Sequence, residues 1–208
     1  MRRKTLENAA SVRRKTLENA TSVREGYGLF FLGGIVMRLK FFRVDNEYTD
    51  KLRRIDPHVT HNNDDHENTY VGILLQVEDI KYFAPLTHTT YDNRWHQVPI
   101  NITNASGQIV NRLGTILLHN MIPVYEDIYD IVDVDALKST DIARYNLYQE
   151  QLNWMNIEVN QQTIISKAEE VRRVYTTPTH KQYNYLKNIL NCKLIELERE
   201  MIEIKKQL

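Results

Sequence analysis

The hydrophobic rhythm of the chain changes at Met37 and again near Ser139. Between these points apolar residues alternate or run together in short stretches broken by Pro, Gly, Asn and Asp; beyond Ser139 they recur every three or four residues. The first rhythm suits strands and the second helices. LKFFRVD (Leu39 to Asp45) is rich in aromatic and β-branched residues and is predicted to be a strand. In NEYTDKLRRID, Tyr48, Leu52 and Ile55 share one helical face, Asp45 or Asn46 can cap it, and Pro57 ends it. Tyr70 to Val77 is apolar almost throughout, as expected of a central strand. A second strand, Lys81 to Leu86, follows Glu78-Asp79, and Pro85, which has no N–H for a ladder, is expected to end or bulge it. VPINIT and QIVNRLGTILLH form a predicted hairpin about Asn104-Ala105-Ser106-Gly107. NMIPV reads as a Pro-marked strand edge, and YEDIYDIVDVDAL contains a short acidic strand.

The helical part has three stretches. Ile142, Tyr145, Tyr148 (or Leu147) and Leu152 mark the inner face of the first, and Ile164, Ala168 and Val171 that of the second, with Pro178 as the break. KQYNYLKNILNCKLIELEREMIEIKKQL then reads as one long last helix with Leu186, Ile189 or Leu190, Leu194, Leu197, Met201 and Ile204 on one side. Strands first and helices last argue an α+β fold, a single domain over residues 37–208.

Composition narrows the class. One cysteine, Cys192, excludes a disulfide framework within the chain, and it is read as a packing residue. No window approaches the roughly 18 apolar residues of a membrane span, so no membrane partner is expected and a reducing cytoplasm is the default. The whole chain holds 27 basic and 27 acidic residues, but residues 1–36 hold seven and three of them. The remainder therefore carries a net charge of −4, and nucleic-acid binding there requires a local basic patch. HVTHNNDDHENT (His58 to Thr69) has three His and two Asp, yet its spacing fits no metal site and nothing apolar would fix the ligands. It reads as a solvated loop, and no metal or other cofactor is assigned.

Residues 1–36 pose a separate question. RRKTLENAASV and RRKTLENATSV stand in tandem, Arg2 to Val12 and Arg13 to Val23, with Ala10 becoming Thr21. Two copies of eleven residues are too few and too short for a solenoid, and Leu6 with Val12, or Leu17 with Val23, make no apolar stripe. RRK before LFFLGGIV is a poor targeting segment, since the apolar run is short, late and lacks a cleavage site.

The succession K-Y-F-A-P-L-T, a polar loop, GTILLHNMIPV, YNLYQEQLNWMN and a helical tail, preceded by FFRVDNEYTDKLRRID, resembles the ToxN/AbiQ family from Leu39 to about Leu197. These are toxins of type III toxin–antitoxin systems that act in abortive phage infection. The resemblance implies a twisted antiparallel sheet of Kid/MazF type flanked by helices. It implies a metal-independent endoribonuclease acting on cellular and phage RNA and leaving a 2′,3′-cyclic phosphate and a 5′-hydroxyl. As partner it implies an antitoxin RNA of tandem repeats, processed by the toxin into pseudoknots that block its groove, in closed toxin–RNA rings. The competing reading is a non-catalytic RNA-binding protein of the same fold.

Such an RNase needs a group to take the 2′ proton, one to protonate the 5′ oxygen, and donors for the charge on phosphorus. The family places a Thr-Ser pair and then Lys after P-L; here the string is Thr87, His88, Thr89, Thr90, so His88 stands for the serine and Thr90 for the lysine. His88 has a side chain suited to moving protons near neutral pH and is read as functional over a surface histidine without a role. Arg94 is a candidate for the missing charge through forked donation to phosphate, His96 is a second candidate acid or base, and Thr87 would orient the phosphate. Arg94 and His96 read equally well as ordinary loop residues. Weaker candidates for RNA contact are Arg43, which a structural ion pair explains as well, and Lys81, which reads more blandly as a strand-end lysine. Thr90 can donate to phosphate. Tyr91, Trp95 and Tyr82 can stack on bases or simply pack. Lys181, Lys187 and Lys193 can track a backbone or merely be solvated.

The resemblance also recasts residues 1–36. Type III toxin genes lie downstream of their antitoxin repeats, and eleven residues correspond to a 33-nucleotide unit that stays in frame. GLFFL can be encoded by a T-rich terminator and Gly33-Gly34 by a ribosome-binding sequence. The expectation is therefore a non-domain extension of translated repeats and leader before a start at Met37; a genuine basic tail is the alternative.

Overall fold

The structure, a computed structural model, describes residues 38–60, 69–77 and 79–207. The extension 1–36 and most of the loop 58–69 lie outside the described residues. In chain order the elements are β1 (Lys40–Val44), α1 (Asn46–Arg53), β2 (Tyr70–Val77), β3 (Ile80–Thr87), β4 (Gln97–Thr103), β5 (Ile109–Leu117), β6 (Ile122–Val124), β7 (Tyr129–Ile131), α2 (Leu137–Thr140), α3 (Ile142–Met155), α4 (Glu158–Thr176) and α5 (Leu194–Lys206).

All described strands join one antiparallel sheet in the order β4-β5-β3-β2-β1-β7, with β6 also on β3. Alternation along the strands sends successive side chains to opposite faces. Phe41, Val71, Tyr82 and Ala84 enter one core with Tyr148, Met155, Ile164, Ala168 and Val171. Phe42, Val44, Tyr70 and Phe83 enter a second core with Tyr48, Leu52, Leu197, Met201 and Ile204. The sheet is thus covered by α3 and α4 on one face and by α1 and α5 on the other. Gly72 is required on the second face: a Cβ there would lie 2.3 Å from the Phe83 ring, which stacks on Phe42 at 4.4 Å between centroids.

Local chemistry explains the boundaries. Asp45 caps α1, its carboxylate accepting from the Tyr48 N–H at 2.8 Å. Tyr48 then donates its hydroxyl to Pro123 O at 2.6 Å and ties α1 to β6. The expected hairpin is present, with Gly107 at φ 78° in its turn.

Three expectations are corrected. Pro85 neither ends nor bulges β3; the sheet forks there. β3 pairs β6 through Lys81, Tyr82 and Phe83, then pairs β5 through Leu86 and Thr87, while β2 accompanies both halves. Leu86 N–H points to Thr69 O, so alternation turns the Pro85 nitrogen toward the fork, where no donor is needed. In α3 Tyr148, Gln151 and Met155 are buried and Tyr145 and Leu152 pack half-buried against the first core, but Ile142 is exposed. A register shift in β5 leaves Leu113 without a strand partner, and the buried Gln151 amide donates to its carbonyl at 2.6 Å. The last helix is broken: a π-helical turn, Tyr185–Ile189, gives way to Asn191 at φ 51° before α5. Leu186, Cys192 and Leu194 belong to the first core, whereas Leu197, Met201 and Ile204 belong to the second. A straight helix has one apolar stripe and cannot serve both faces of a sheet.

The two helical layers meet at a buried polar junction. Tyr82 donates to Glu198 Oε1 at 2.6 Å, Arg172 Nε donates to the Tyr82 hydroxyl at 3.2 Å, and Arg172 Nε lies 3.5 Å from Glu198. No described helix is long and apolar enough to cross a membrane.

Candidate active site

β3 ends at Thr87, and the chain then runs exposed from His88 to Arg94 before β4. A side chain or carbonyl meets this loop at each stage. Thr87 Oγ1 accepts from Thr89 N–H at 3.2 Å, closing the first turn. Buried Thr115 accepts from Tyr91 N–H through its Oγ1 at 3.2 Å. Gln97 Nε2 donates to Asp92 O at 2.6 Å. Lys167, from α4, donates through Nζ to Asn93 Oδ1 and Arg94 O at 2.6 Å each and to Gln97 O at 3.1 Å. Burial pushes the Lys167 ammonium below its ordinary pKa.

Gly114 sets where the loop begins. It has φ 136°, which L residues with a Cβ rarely adopt, and a Cβ there would lie 2.6 Å from Thr87 O. The backbone of β5 therefore comes against the end of β3, as Thr87 pairs with Thr115.

Beside the loop lies a cleft of about 480 Å³. Thr90, Tyr91, Asp92 and Arg94 line it from the loop, His96 and Gln97 from the start of β4, Leu117, His119 and Asn120 from the end of β5 and the turn after it, and Leu190 from the break before α5. Its lining thus combines a hydroxyl, a guanidinium, two imidazoles, a half-exposed aromatic ring and apolar wall.

The imidazoles form a pair. His96 and His119 meet Nδ1 to Nδ1 at 3.2 Å with their rings perpendicular. His119 Nδ1 is also 3.3 Å from His96 O. A carbonyl only accepts, so this network assigns the proton to His119 Nδ1, makes His96 Nδ1 an acceptor and places the His96 proton on Nε2. His96 is 3% exposed, and its Nε2 is buried without a partner. Burial, the neighbouring His119 and the Arg94 charge push His96 down to about 4. Burial also lowers His119, against the opposing pull of its bond to His96 O.

The fold gathers some predicted residues and separates others. Thr90, Tyr91, Arg94 and His96 line the cleft. Thr87 and His88 stand at the strand end that opens the loop and are not among the lining residues. His96, expected as an acid or base, is neutral near pH 7 and buried, which removes it as a proton donor there. Trp95 is half-buried against the first core, edge-on to the His96 ring, and Tyr82 is wholly buried. Lys81 lies at the opposite end of β3, paired with Glu126 and with the Tyr129 hydroxyl. Arg43 sits on β1 opposite Asp130 of β7, with β2 between it and β3. Lys187 is exposed on the π-helical turn, its Nζ 3.2 Å from the Tyr183 hydroxyl, and Lys193 donates to Ile55 O at 2.8 Å.

Sequence reasoning missed His119 and Lys167. The signal for His119 was a histidine inside the otherwise apolar GTILLHNMIPV; for Lys167 it was a lysine beside the buried Ile164 and Ala168 face of a helix. Among the described residues no cluster of three or more His, Cys, Asp or Glu forms a metal site.

Known proteins share this framework. The family model described as toxin ToxN of type III toxin–antitoxin systems matches residues 40–201. The chain is 31% identical over 172 residues to endoribonuclease ToxN of Bacillus thuringiensis subsp. kurstaki, covering 81% of this chain and 85% of that one. It is 31% identical over 169 residues to endoribonuclease AbiQ of Lactococcus lactis subsp. lactis, covering 77% and 87%. A solved structure from work on selective toxin inhibition by a non-coding RNA pseudoknot superposes with a TM-score of 0.70 at 28% identity, over 81% of this chain and 99% of that one.

Proposed function

This chain belongs to the ToxN toxin family of type III toxin–antitoxin systems, and on that basis we propose that it is an endoribonuclease toxin whose active site is the loop from Thr87 to His96 with its adjoining cleft. The observation that carries the reading is the gathering of Thr90, Arg94 and paired imidazoles on one cleft beside the open end of β3, within the matched region. The nucleophile is the substrate's own 2′-oxygen, so the protein has to position a phosphate and move two protons. Arg94 offers forked donors and Thr90 a hydroxyl to the phosphate oxygens. Thr87, whose oxygen accepts from Thr89 N–H, keeps its own hydrogen free to donate. His88, exposed at the mouth of the loop, exchanges a proton with the leaving 5′ oxygen. The half-exposed Tyr91 ring offers a stacking face to a base. The products are a 2′,3′-cyclic phosphate and a 5′-hydroxyl.

The inhibitor under this reading is a repeat RNA folded as a pseudoknot that occupies the same cleft, joined with the toxin in a closed ring. The solved relative concerns toxin inhibition by a non-coding RNA pseudoknot, and the AbiQ relative is an anti-phage endoribonuclease. Residues 37–208 carry a net charge of −4, so RNA binding rests on the local field of Arg94 and its neighbours rather than on overall charge.

The test is to incubate the purified chain with total cellular RNA and map new 5′-hydroxyl ends. The expected result is cleavage at a recurring sequence, lost in Arg94→Ala and His88→Ala variants that remain folded. Tight RNA binding without new ends would replace the enzyme by a non-catalytic RNA-binding protein. The mass of the toxin–RNA complex in solution checks the ring.

A further inference from the structure

The paired imidazoles take no part in the roles assigned so far, yet both line the cleft. Their hydrogen bonds are directional. His119 Nδ1–H points at His96 O and at His96 Nδ1, at 3.3 and 3.2 Å, and His119 N–H also donates to His96 O at 3.2 Å. Backbone and ring of His119 are thus held by one carbonyl, which leaves the Nε2 lone pair as the basic atom of the ring. Among the described residues, three buried side-chain polar atoms lack partners: His96 Nε2, Asn101 Oδ1 and Gln151 Oε1. Among the described residues no hydrogen bond falls on His119 Nε2, and the half-buried His119 lines the cleft. One imidazole of the pair is buried and orients; the other presents its lone pair.

Resting on the endoribonuclease reading, we propose that His119 is the general base that takes the 2′ proton, and that His96 is a positioning residue holding it in the required tautomer. In the step, the ribose 2′ O–H gives its proton to His119 Nε2 while the 2′ oxygen bonds to phosphorus. The P–O5′ bond breaks, its electron pair leaves with the 5′ oxygen, and that oxygen takes a proton from His88 or water. The imidazolium left on His119 is stabilised by its Nδ1–H bond to the His96 carbonyl and returns its proton to solvent. The arrangement follows the general logic of a base oriented through its second nitrogen. Burial lowers the His119 pKa against the pull of its bond to His96 O, which favours the neutral form that can accept. The pair also divides the proton transfers between His119 and His88, with His96, which the sequence offered as a second acid or base, in a supporting role.

The test compares His119→Asn and His119→Ala with the unaltered chain on an oligoribonucleotide bearing the mapped cleavage site. Asn keeps an N–H near the position of Nδ1 and loses the Nε2 lone pair. The expected result is a fall in kcat of about 10²–10⁴-fold in both, with unchanged binding of the 2′-deoxy oligonucleotide and an unchanged circular dichroism spectrum. Added imidazole should restore a measurable part of the activity of His119→Ala and none to His88→Ala. His96→Phe should lower kcat with KM nearly constant, because the backbone carbonyl remains while the ring acceptor is gone. An unaltered chain that cuts beside a His119→Asn variant within about threefold of it would overturn the assignment and leave the endoribonuclease reading standing. An unaltered chain that yields no 5′-hydroxyl ends would overturn both.

Discussion

Replacing Lys167 by Met removes the ammonium and keeps most of the aliphatic stem, so the variant isolates what the charge does for the loop. Three acceptors lose the ammonium as donor: Asn93 Oδ1, Arg94 O, which keeps the Gln97 N–H, and Gln97 O. A net hydrogen bond contributes about 0.5–1.5 kcal/mol, and more when one partner is charged. Against this stands the desolvation that lowers the Lys167 pKa. The balance is a local term of about 2 kcal/mol, or roughly a thirtyfold change in the ratio of ordered to open loop at about 1.4 kcal/mol per decade. Global stability should move by less than that, because neither core loses an apolar group. Amide hydrogen exchange separates the two effects. Tyr91 N–H, bonded to Thr115, and Gln97 N–H, bonded to Arg94 O, should lose about 10–30-fold of their protection, while amides of β2 keep theirs. Cleavage should fall by a comparable factor in kcat/KM, since Arg94 is carried on the freed segment. Unchanged exchange at Tyr91 and Gln97, or an equal loss throughout the sheet, would refute the argument that Lys167 acts as the clamp of this loop.

Other consequences are as direct. Gly114→Ala forces a Cβ to within 2.6 Å of Thr87 O at φ 136°; unfolding in urea should show a loss of about 2 kcal/mol or more, and a loss below 0.5 would mean that the bulge relaxes freely. His96 is held near 4 when folded against about 6.5 in an unfolded chain. The unfolded state therefore takes the proton first. The stability this contributes is complete above about pH 6.5 and is lost as pH falls toward 4, at up to about 1.4 kcal/mol per pH unit. Urea midpoints of the unaltered chain and His96→Phe should diverge over that window, and parallel curves would deny the neutral buried imidazole. Tyr82→Phe removes the hydroxyl between Arg172 and Glu198 and should cost about 1–2 kcal/mol in thermal or chemical unfolding; a neutral change would mean that the Arg172–Glu198 pair alone suffices.

Periodicity carried most of the architecture. The strands, the Asp45 cap, the Asn104–Gly107 turn and the Ile164, Ala168 and Val171 face follow from rules that act within a few residues. What escaped depends on partners distant in sequence. Gln151 reads as a surface residue until the unpaired Leu113 carbonyl is known, 38 positions away. The break at Asn191 carries no proline and becomes intelligible once Leu186 and Leu197 are seen to serve different cores. The site divides in the same way. Thr87 to Arg94 could be found by order along the chain. Lys167, which clamps Arg94 O across 73 positions, and His119, which meets His96 across 23, could be placed only by the fold.

The fork at Pro85 makes a machine part of the β4–β5 hairpin. That ladder is seven residue pairs long, but among the described strands its ladder to the rest of the sheet is two pairs wide, Leu86 with Ile116 and Thr87 with Thr115. It is a lever with a narrow fulcrum, and Gly114 lies beside that fulcrum. The loop from His88 to His96 is the strap that joins β3 to the lever's base, with Lys167 as its buckle. The exposed tip at Asn104–Gly107 and the strap that carries Arg94 thus stand at opposite ends of one hairpin.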